Sequence, residues 1–227
     1  MHMSSIVSAS PVSAPWPGAQ ATFFDTKILQ PHDTLFYEGD AADNLYEVLE
    51  GVVRSCKIFA DGRRQVISFA FAGDLIGFGQ GDVFGFDCDA LSTVHVRVIP
   101  KSALLKTARE RPEFGEKLLE VAANQVASIQ SLSILLCRKS AIEKIASFLF
   151  DMAGRKPDVV EGAQISLPMN RSDIADFLGL TIETVSRTLT KLRMMNVIGL
   201  PNRGNFTVLN MGKLRLLAEC EDSVFRN

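Results

Sequence analysis

The chain has 227 residues, of which 47% are hydrophobic, and its formal net charge is −2. This length allows one large or two small domains, and the hydrophobic share supports a packed core. The low net charge excludes a uniformly basic coat for nucleic acid, but the charge is unevenly spread. Residues 1–137 hold 11 Lys/Arg and 16 Asp/Glu, whereas residues 138–227 hold 13 and 10, so only the C-terminal part suits an anionic partner.

The N-terminal residues and the cysteines indicate where the protein works. Residues 1–22 are rich in Ser, Ala and Pro and predict a flexible arm without the apolar core of a signal peptide. No apolar run is expected to span a membrane. The four cysteines are Cys56, Cys88, Cys137 and Cys220. Their spacing matches no metal site, so we expect a cytoplasmic protein with reduced thiols and no membrane partner.

Residues 23–111 predict a β domain. Short apolar runs alternate with Gly, Asp and Asn. The clearest alternation of apolar and polar positions is at Val52, Arg54, Cys56 and Ile58. Asp61-Gly62 lies between two such runs and is a hairpin signal. Many short strands at this spacing are typical of an all-β barrel or jelly roll.

Residues 112–138 predict a long helix, because Pro112 suits a first helical turn. Along it, residues recur at spacings of 4, 3, 4, 3 and 4, as in the seam of a coiled coil. The seam residues are Leu118, Ala122, Gln125, Ile129, Leu132 and Leu136. They could pack on the chain's own core instead, but we expect a parallel two-helix dimer interface in which Gln125 fixes the register.

Residues 139–227 predict a winged helix-turn-helix. Asn170 or Ser172 can cap the first helix, and Thr181 can cap the second. Gly179 supplies the positive φ of the turn between them. Two apolar runs, around the sequence PNRG, then form a hairpin that serves as the wing.

The second of these helices has two different faces. Val185, Leu189 and Leu192 form an apolar face. The opposite, polar face carries Glu183, Ser186, Arg187 and Thr190. An ordinary amphipathic surface helix has the same pattern, but in a winged helix-turn-helix this polar face would lie in the major groove of DNA. We therefore predict DNA binding.

Two stretches resemble the CRP/FNR family of bacterial transcription regulators. RSDIADFLGLTIETVSRTLTKL is similar to the family's helix-turn-helix, with the E-x-x-S-R signature of the FNR-like branch. LYEVLEGVVRSCKIFADGRRQVISFAFAGDLIGF is similar to its β-roll sensor domain. The resemblance implies an α+β fold: an N-terminal β-roll (a cyclic-nucleotide-binding-like jelly roll), a long dimerisation helix and a C-terminal winged helix-turn-helix. The implied divisions are an arm (1–22), the β-roll (23–111), the dimerisation helix (112–138) and the DNA-binding domain (139–227).

The resemblance also implies how DNA is read. Glu183 would accept from a cytosine amine, Arg187 would donate to guanine or phosphate, and Ser186 would contact thymine or the backbone. Ile182 stands where CRP itself has an arginine, and would meet a thymine methyl. The implied site is a palindrome near TTGAT-N4-ATCAA, bound by a dimer whose recognition helices lie about 34 Å apart. The candidate backbone contacts are Arg171, Thr181, Thr184, Thr190, Lys191 and Arg203.

Three effector types of this family fit the residues poorly. A cyclic nucleotide needs a glutamate and an arginine, but Phe78 stands in the place of the glutamate and VFGFDCDAL has no arginine. An iron–sulfur cluster needs four thiolates, but the first 55 residues contain no cysteine. His2, His32 and His95 form no metal-binding pair, which opposes an enzyme and leaves haem regulation as an open alternative.

We therefore expect a homodimeric activator of FixK type that is not an enzyme and needs no cofactor or small-molecule effector. Its expected partners are double-stranded DNA, its own copy and RNA polymerase, which residues 78–86 would contact because they resemble the segment that FNR-type activators offer. One alternative is the same fold gated by a ligand or haem. Another is a scaffold that does not bind DNA, with Glu183 and Arg187 as ordinary surface residues.

Overall fold

The computed structural model describes residue 6 and residues 25–78, 81–155 and 160–219. The chain divides into two compact units, residues 1–129 and residues 130–227. The predicted arm, 1–22, lies outside the described residues except for Ile6, whose side chain is buried. Cys220 also lies outside them.

The first unit contains eight strands in two antiparallel four-stranded sheets. The strands are β1 (Thr26–Leu29), β2 (Thr34–Phe36), β3 (Asn44–Glu50), β4 (Val52–Ile58), β5 (Arg64–Phe71), β6 (Leu75–Ile76), β7 (Asp87–Ala90) and β8 (Val94–Pro100). One sheet has the order β1-β8-β3-β6 and the other β2-β7-β4-β5. Apolar side chains of both sheets meet in one buried cluster between them, so the predicted β-roll is confirmed.

The hairpin predicted at Asp61-Gly62 joins β4 to β5. Ile58 pairs with Arg64, and the backbone N–H of Phe59 donates to the carbonyl of Arg63 at 2.8 Å. Gly62 has a φ of 82°, in the left-handed region that glycine adopts without steric cost. The turn residue therefore sets the register of the two longest neighbouring strands of this sheet.

Two helices, α1 (Lys101–Glu110) and α2 (Pro112–Arg138), follow the strands. They cover a second apolar cluster on the β-roll. Its buried members are Leu45, Leu75, Ile99, Leu104, Phe114 and Val121. The predicted long helix is thus present as α2, and its first half packs on strands of its own chain.

The seam predicted along α2 mixes two faces of the helix. Leu118 packs against the second apolar cluster, and Gln125 donates from Nε2 to the Leu75 carbonyl at 3.2 Å. Both residues therefore face strands of their own chain. The largest exposed apolar side chains in this half of the helix are Leu119, Val126 and Ile129, at 72%, 54% and 63% exposure. Ala122 lies half-buried between them, and these four residues form what we call the α2 stripe.

By length and composition alone, α2 could also cross a membrane. This finding corrects the expectation that no run of the chain reaches that length. It is weak support for a membrane span, because Phe114 and Val121 of the same helix are buried against strands of the β-roll. The apolar character of α2 reflects two faces that each carry hydrophobic residues.

In the described residues of the second unit there are four helices besides the end of α2, and one small sheet. Its elements are α3 (Ala141–Gly154), β9 (Gln164–Ser166), α4 (Arg171–Leu178), α5 (Ile182–Met194), β10 (Ile198–Asn202), β11 (Asn205–Val208) and α6 (Met211–Glu219). The sheet is antiparallel in the order β10-β11-β9. The predicted winged helix-turn-helix is confirmed as α4, α5 and the β10–β11 hairpin, while α6 was not predicted.

Candidate nucleic-acid interface

A reciprocal cap fixes the start of α4. The Asp173 N–H donates to Oδ1 of Asn170 at 2.9 Å, and the Asn170 N–H donates to Oδ2 of Asp173 at 3.0 Å. Two otherwise unpaired donors of the first turn are satisfied in this way. Asn170, and not Ser172, is therefore the cap, and α4 begins at Arg171.

The turn between α4 and α5 depends on Gly179. Its φ and ψ are 61° and 44°, the left-handed conformation that ends many helices. The N–H groups of Gly179 and Leu180 both donate to the carbonyl of Ala175. A Cβ at position 179 would stand 3.8 Å from Cδ2 of Leu136, so this predicted seam residue lies beside the turn.

Helix α5 begins at a threonine cap and buries one edge. Oγ1 of Thr181 accepts from the Thr184 N–H at 3.1 Å. The predicted apolar face is buried in full: Val185, Leu189 and Leu192 are at most 1% exposed. Because that edge faces the core, the opposite edge of α5 must face solvent.

The exposed edge carries the four predicted polar residues, Glu183, Ser186, Arg187 and Thr190. Nη2 of Arg187 lies 2.5 Å from Oε1 of Glu183, and the two side chains are 79% and 69% exposed. An ion pair so exposed contributes little free energy, so both groups can exchange this contact for base edges. Ile182 is also exposed, at 52%.

The threonine hydroxyls differ in what they can still donate. Oγ1 of Thr190 donates to the carbonyl of Ser186 at 3.0 Å, so its proton is used within the helix. Oγ1 of Thr181 and Oγ1 of Thr184 lie 2.8 Å apart, and one of the two donates to the other. A phosphate oxygen accepts hydrogen bonds only, so this pair suits a phosphate better than Thr190 does.

Two arginines outside α5 influence each other electrostatically. Arg171 is the first residue of α4, and Arg203 lies in the wing turn between β10 and β11. Burial lowers the pKa of the Arg171 guanidinium, and the positive charge of Arg203 lowers it further. Within the described part of the chain, Nη1 of Arg171 is buried and has no hydrogen-bond partner. These two cations are therefore candidates for binding an anion such as a phosphate.

The wing turn holds Arg203 in place. Oδ1 of Asn202 accepts from the Gly204 N–H and from Nδ2 of Asn205, both at 3.0 Å. The carbonyl of Gly204 accepts from the Leu167 N–H at 2.7 Å. The sequence indicated Arg171 and Arg203 as separate candidates. It did not predict that one charge influences the other, because the two residues are far apart along the chain. Lys191 is exposed on α5, on the same helix as the polar edge.

Three aromatic rings pack together in the core cluster of the β-roll. Phe84 stacks on Phe36 with ring centroids 3.8 Å apart, and Tyr46 lies 5.7 Å from Phe36. Phe78 packs on the second apolar cluster, outside this interior. Asp89 is tied to Arg54 by two hydrogen bonds of 3.0 and 2.6 Å. In the described residues, no three His, Cys, Asp or Glu side chains converge on a metal position.

Comparisons with known proteins agree with this architecture. Residues 143–217 match the family described as Crp-like helix-turn-helix domain, and residues 26–111 match the cyclic nucleotide-binding domain family. The chain is 41% identical over 170 residues to the transcriptional activatory protein AadR of Rhodopseudomonas palustris, covering 74% of this chain and 71% of that protein. It is 38% identical to the nitrogen fixation regulation protein FixK of Azorhizobium caulinodans, covering 84% of this chain and 77% of that one.

A solved structure is similar over most of its length. FixK2 from Bradyrhizobium japonicum superposes with a TM-score of 0.81 at 32% identity, covering 88% of this chain and 99% of that chain. The chain belongs to the CRP/FNR family of transcription regulators, in its FixK-type branch.

Proposed function

We propose that a dimer of this chain activates transcription by binding an FNR-like palindrome near TTGAT-N4-ATCAA, without an obligatory small-molecule effector. The observation that carries the proposal is the exposed edge of α5, where Glu183 and Arg187 are paired with each other but lie open to solvent. Activation rests on similarity to AadR, whose name describes a transcriptional activator. In this role the protein is not an enzyme.

Base reading would exchange one ion pair for two base contacts. Arg187 would turn from Glu183 to guanine O6 and N7, and Glu183 would accept from a cytosine amine. Ile182, exposed at the start of the helix, would cover a thymine methyl. Ser186 lies on the same exposed edge of α5 and would contact thymine or the DNA backbone. Phosphates would be held by Arg171, Thr181, Thr184, Lys191 and Arg203, whereas the predicted contact of Thr190 would require its hydroxyl to leave the Ser186 carbonyl.

Dimerisation would use the α2 stripe, because a second copy would cover the apolar surface that it exposes. Leu119, Ala122, Val126 and Ile129 recur at spacings of 3, 4 and 3 residues, which suits knobs-into-holes packing against an identical helix. Leu118 and Gln125 leave the proposed interface, since they face strands of their own chain. The two recognition helices of such a dimer would meet successive turns of DNA.

Independence from an effector would follow from the filled β-roll. A bound nucleotide phosphate needs a cation, because burying its charge alone is costly. Arg54, which lies on β4, is already paired with Asp89. The stacked rings of Phe36 and Phe84 occupy the middle of the interior. The fold would then serve as a scaffold for the dimer and for contact with RNA polymerase in the cytoplasm, with Val83, 52% exposed, in the predicted contact segment.

Arg187→Ala is expected to weaken binding to the palindrome by about 1–3 kcal/mol and to relax base preference at one position of each half-site. The matched control is Arg215→Ala, because Arg215 forms the same type of exposed i,i+4 pair, with Glu219 on α6. Fluorescence anisotropy with the palindrome and with single-base variants measures both effects. Equal binding by Arg187→Ala and the control would contradict base reading by α5.

Arg171→Gln and Arg203→Gln are each expected to reduce the slope of log Kd against log salt by about 1. If both hold one phosphate, the double variant loses less affinity than the two single losses together, because they act on a shared partner. Titrations at several salt concentrations measure the slopes, with Arg215→Gln as the control. Strictly additive losses would show separate phosphates, and unchanged slopes would remove both residues from the interface.

Val126→Glu is expected to convert the dimer to a monomer, because it places a charge in the middle of the α2 stripe. Ala127→Glu is the matched control, since it adds the same charge to the neighbouring, half-buried position off the stripe. Sedimentation velocity distinguishes the two species. A Val126→Glu protein that remains dimeric would place the interface elsewhere.

A further inference from the structure

A lysine is buried on α3, a helix of the second unit whose other buried residues are all apolar except Ser147. Lys144 lies on α3 and is 9% exposed, and its neighbours Ile145 and Ala146 are fully buried. A buried ammonium is costly unless a polar partner compensates it. Nothing in the proposed reading of DNA uses this residue. The burial of Lys144 must therefore be explained by a contact within the second unit.

The partner of Lys144 is the end of the first helix of the helix-turn-helix. Its Nζ donates to the carbonyl of Leu178 at 3.2 Å, through a buried contact. Leu178 is the last residue of α4 and directly precedes Gly179. The last carbonyls of a helix lack partners within it and carry the negative end of the helix dipole. A cation at this point satisfies an acceptor and complements the dipole.

This contact completes the set of bonds that define the turn. Ala175 O accepts the N–H groups of Gly179 and Leu180, Leu178 O accepts Lys144, and Thr181 caps α5. The two bonds to the Ala175 carbonyl and the Thr181 cap are formed by residues close to the turn in sequence. Only the one from Lys144 comes from a different helix, α3, which packs through the core of the unit. It connects the turn between α4 and α5 to α3.

We propose that Lys144 is a positioning residue for DNA recognition: it holds the turn from α3 and thereby sets the direction in which α5 presents Glu183 and Arg187. The inference rests on the proposed reading of DNA by α5. Lys144 does not touch DNA, since its ammonium is buried against Leu178. Its loss would leave the charges on the surface unchanged and loosen the angle of the recognition helix.

The test compares Lys144→Met with Lys139→Met. Lys139 provides a matched control, because its Nζ donates to Oγ of Ser147 at 2.8 Å and to the Ala218 carbonyl near the end of α6, away from the turn. Both variants lose one cation and a contact to a helix end in the same unit. Lys144→Met is expected to reduce discrimination between the palindrome and a scrambled duplex by at least about tenfold, because a hydrogen bond from a charged group is lost. Lys139→Met is expected to change it less than about twofold, and Lys144→Arg to restore part of it.

Hydrogen exchange gives a second readout that needs no DNA. In Lys144→Met, the amides of Gly179 and Leu180 are expected to exchange at least about tenfold faster, relative to the change at Val208 in the wing. If Lys144→Met does not fold at the assay temperature, Lys144→Gln takes its place with the same expectation. Unchanged discrimination, or an equal loss in Lys139→Met, would overturn the proposal. If the wild type itself does not discriminate, the proposed DNA site is wrong, and unchanged exchange at 179 and 180 would then overturn the role of Lys144.

Discussion

The burial of one edge of α5 is the constraint on which the interface depends. Val185, Leu189 and Leu192 are almost completely buried, and a helix cannot rotate about its axis without exposing them. Truncating such a side chain in a core costs about 2–5 kcal/mol, so this orientation is strongly enforced. The polar edge is held outward as a consequence, with Glu183 and Arg187 paired but exposed. Packing therefore determines which side chains of α5 face solvent, and the exposed ion pair leaves them available to a partner.

The turn before α5 fixes the angle between α5 and the preceding helix, α4. Gly179 permits a left-handed residue between the helices, and Lys144 and Thr181 satisfy the groups on either side. A surface that reads bases needs this rigidity, because hydrogen bonds to base edges tolerate little displacement. The wing turn that contains Arg203 is likewise stabilised by a hydrogen bond, in which Oδ1 of Asn202 accepts from the Gly204 N–H. Under the proposed function, phosphate contacts would fix the register of α5 on the duplex.

The sequence was most informative where a local pattern decides the structure. The Asp61-Gly62 hairpin, the apolar edge of α5, and the glycine turn with its Thr181 cap depend on residues close in sequence, and the structure has all of them. The α2 seam stays a prediction. Two faces of one helix repeat at the same spacing, and Leu118 and Gln125 of the seam contact strands of their own chain. Identifying Leu119 rather than Leu118 as the exposed position required the second apolar cluster, which brings together residues far apart in sequence. The contact of Lys144 with Leu178, and the electrostatic influence of Arg203 on Arg171, likewise depend on the tertiary fold.

Aromatic rings form part of the core of the β-roll. Phe36 and Phe84 stack at 3.8 Å, and the unit has a core cluster to which both sheets contribute. Under the proposed function, a domain whose core is complete without a ligand would have no ligand-dependent folding step to couple to DNA binding.

The most direct measurement is fluorescence anisotropy of the purified protein with a TTGAT-N4-ATCAA duplex, in reductant at ~150 mM salt, against a scrambled duplex. The protein is first dialysed extensively against ligand-free buffer, and its absorbance is checked for haem. We predict binding to the palindrome at least about a thousandfold tighter than to the scrambled duplex. Equal, weak binding to both duplexes would contradict effector-free recognition. Selectivity that appears only after a small-molecule extract is added would show that the β-roll still binds an effector.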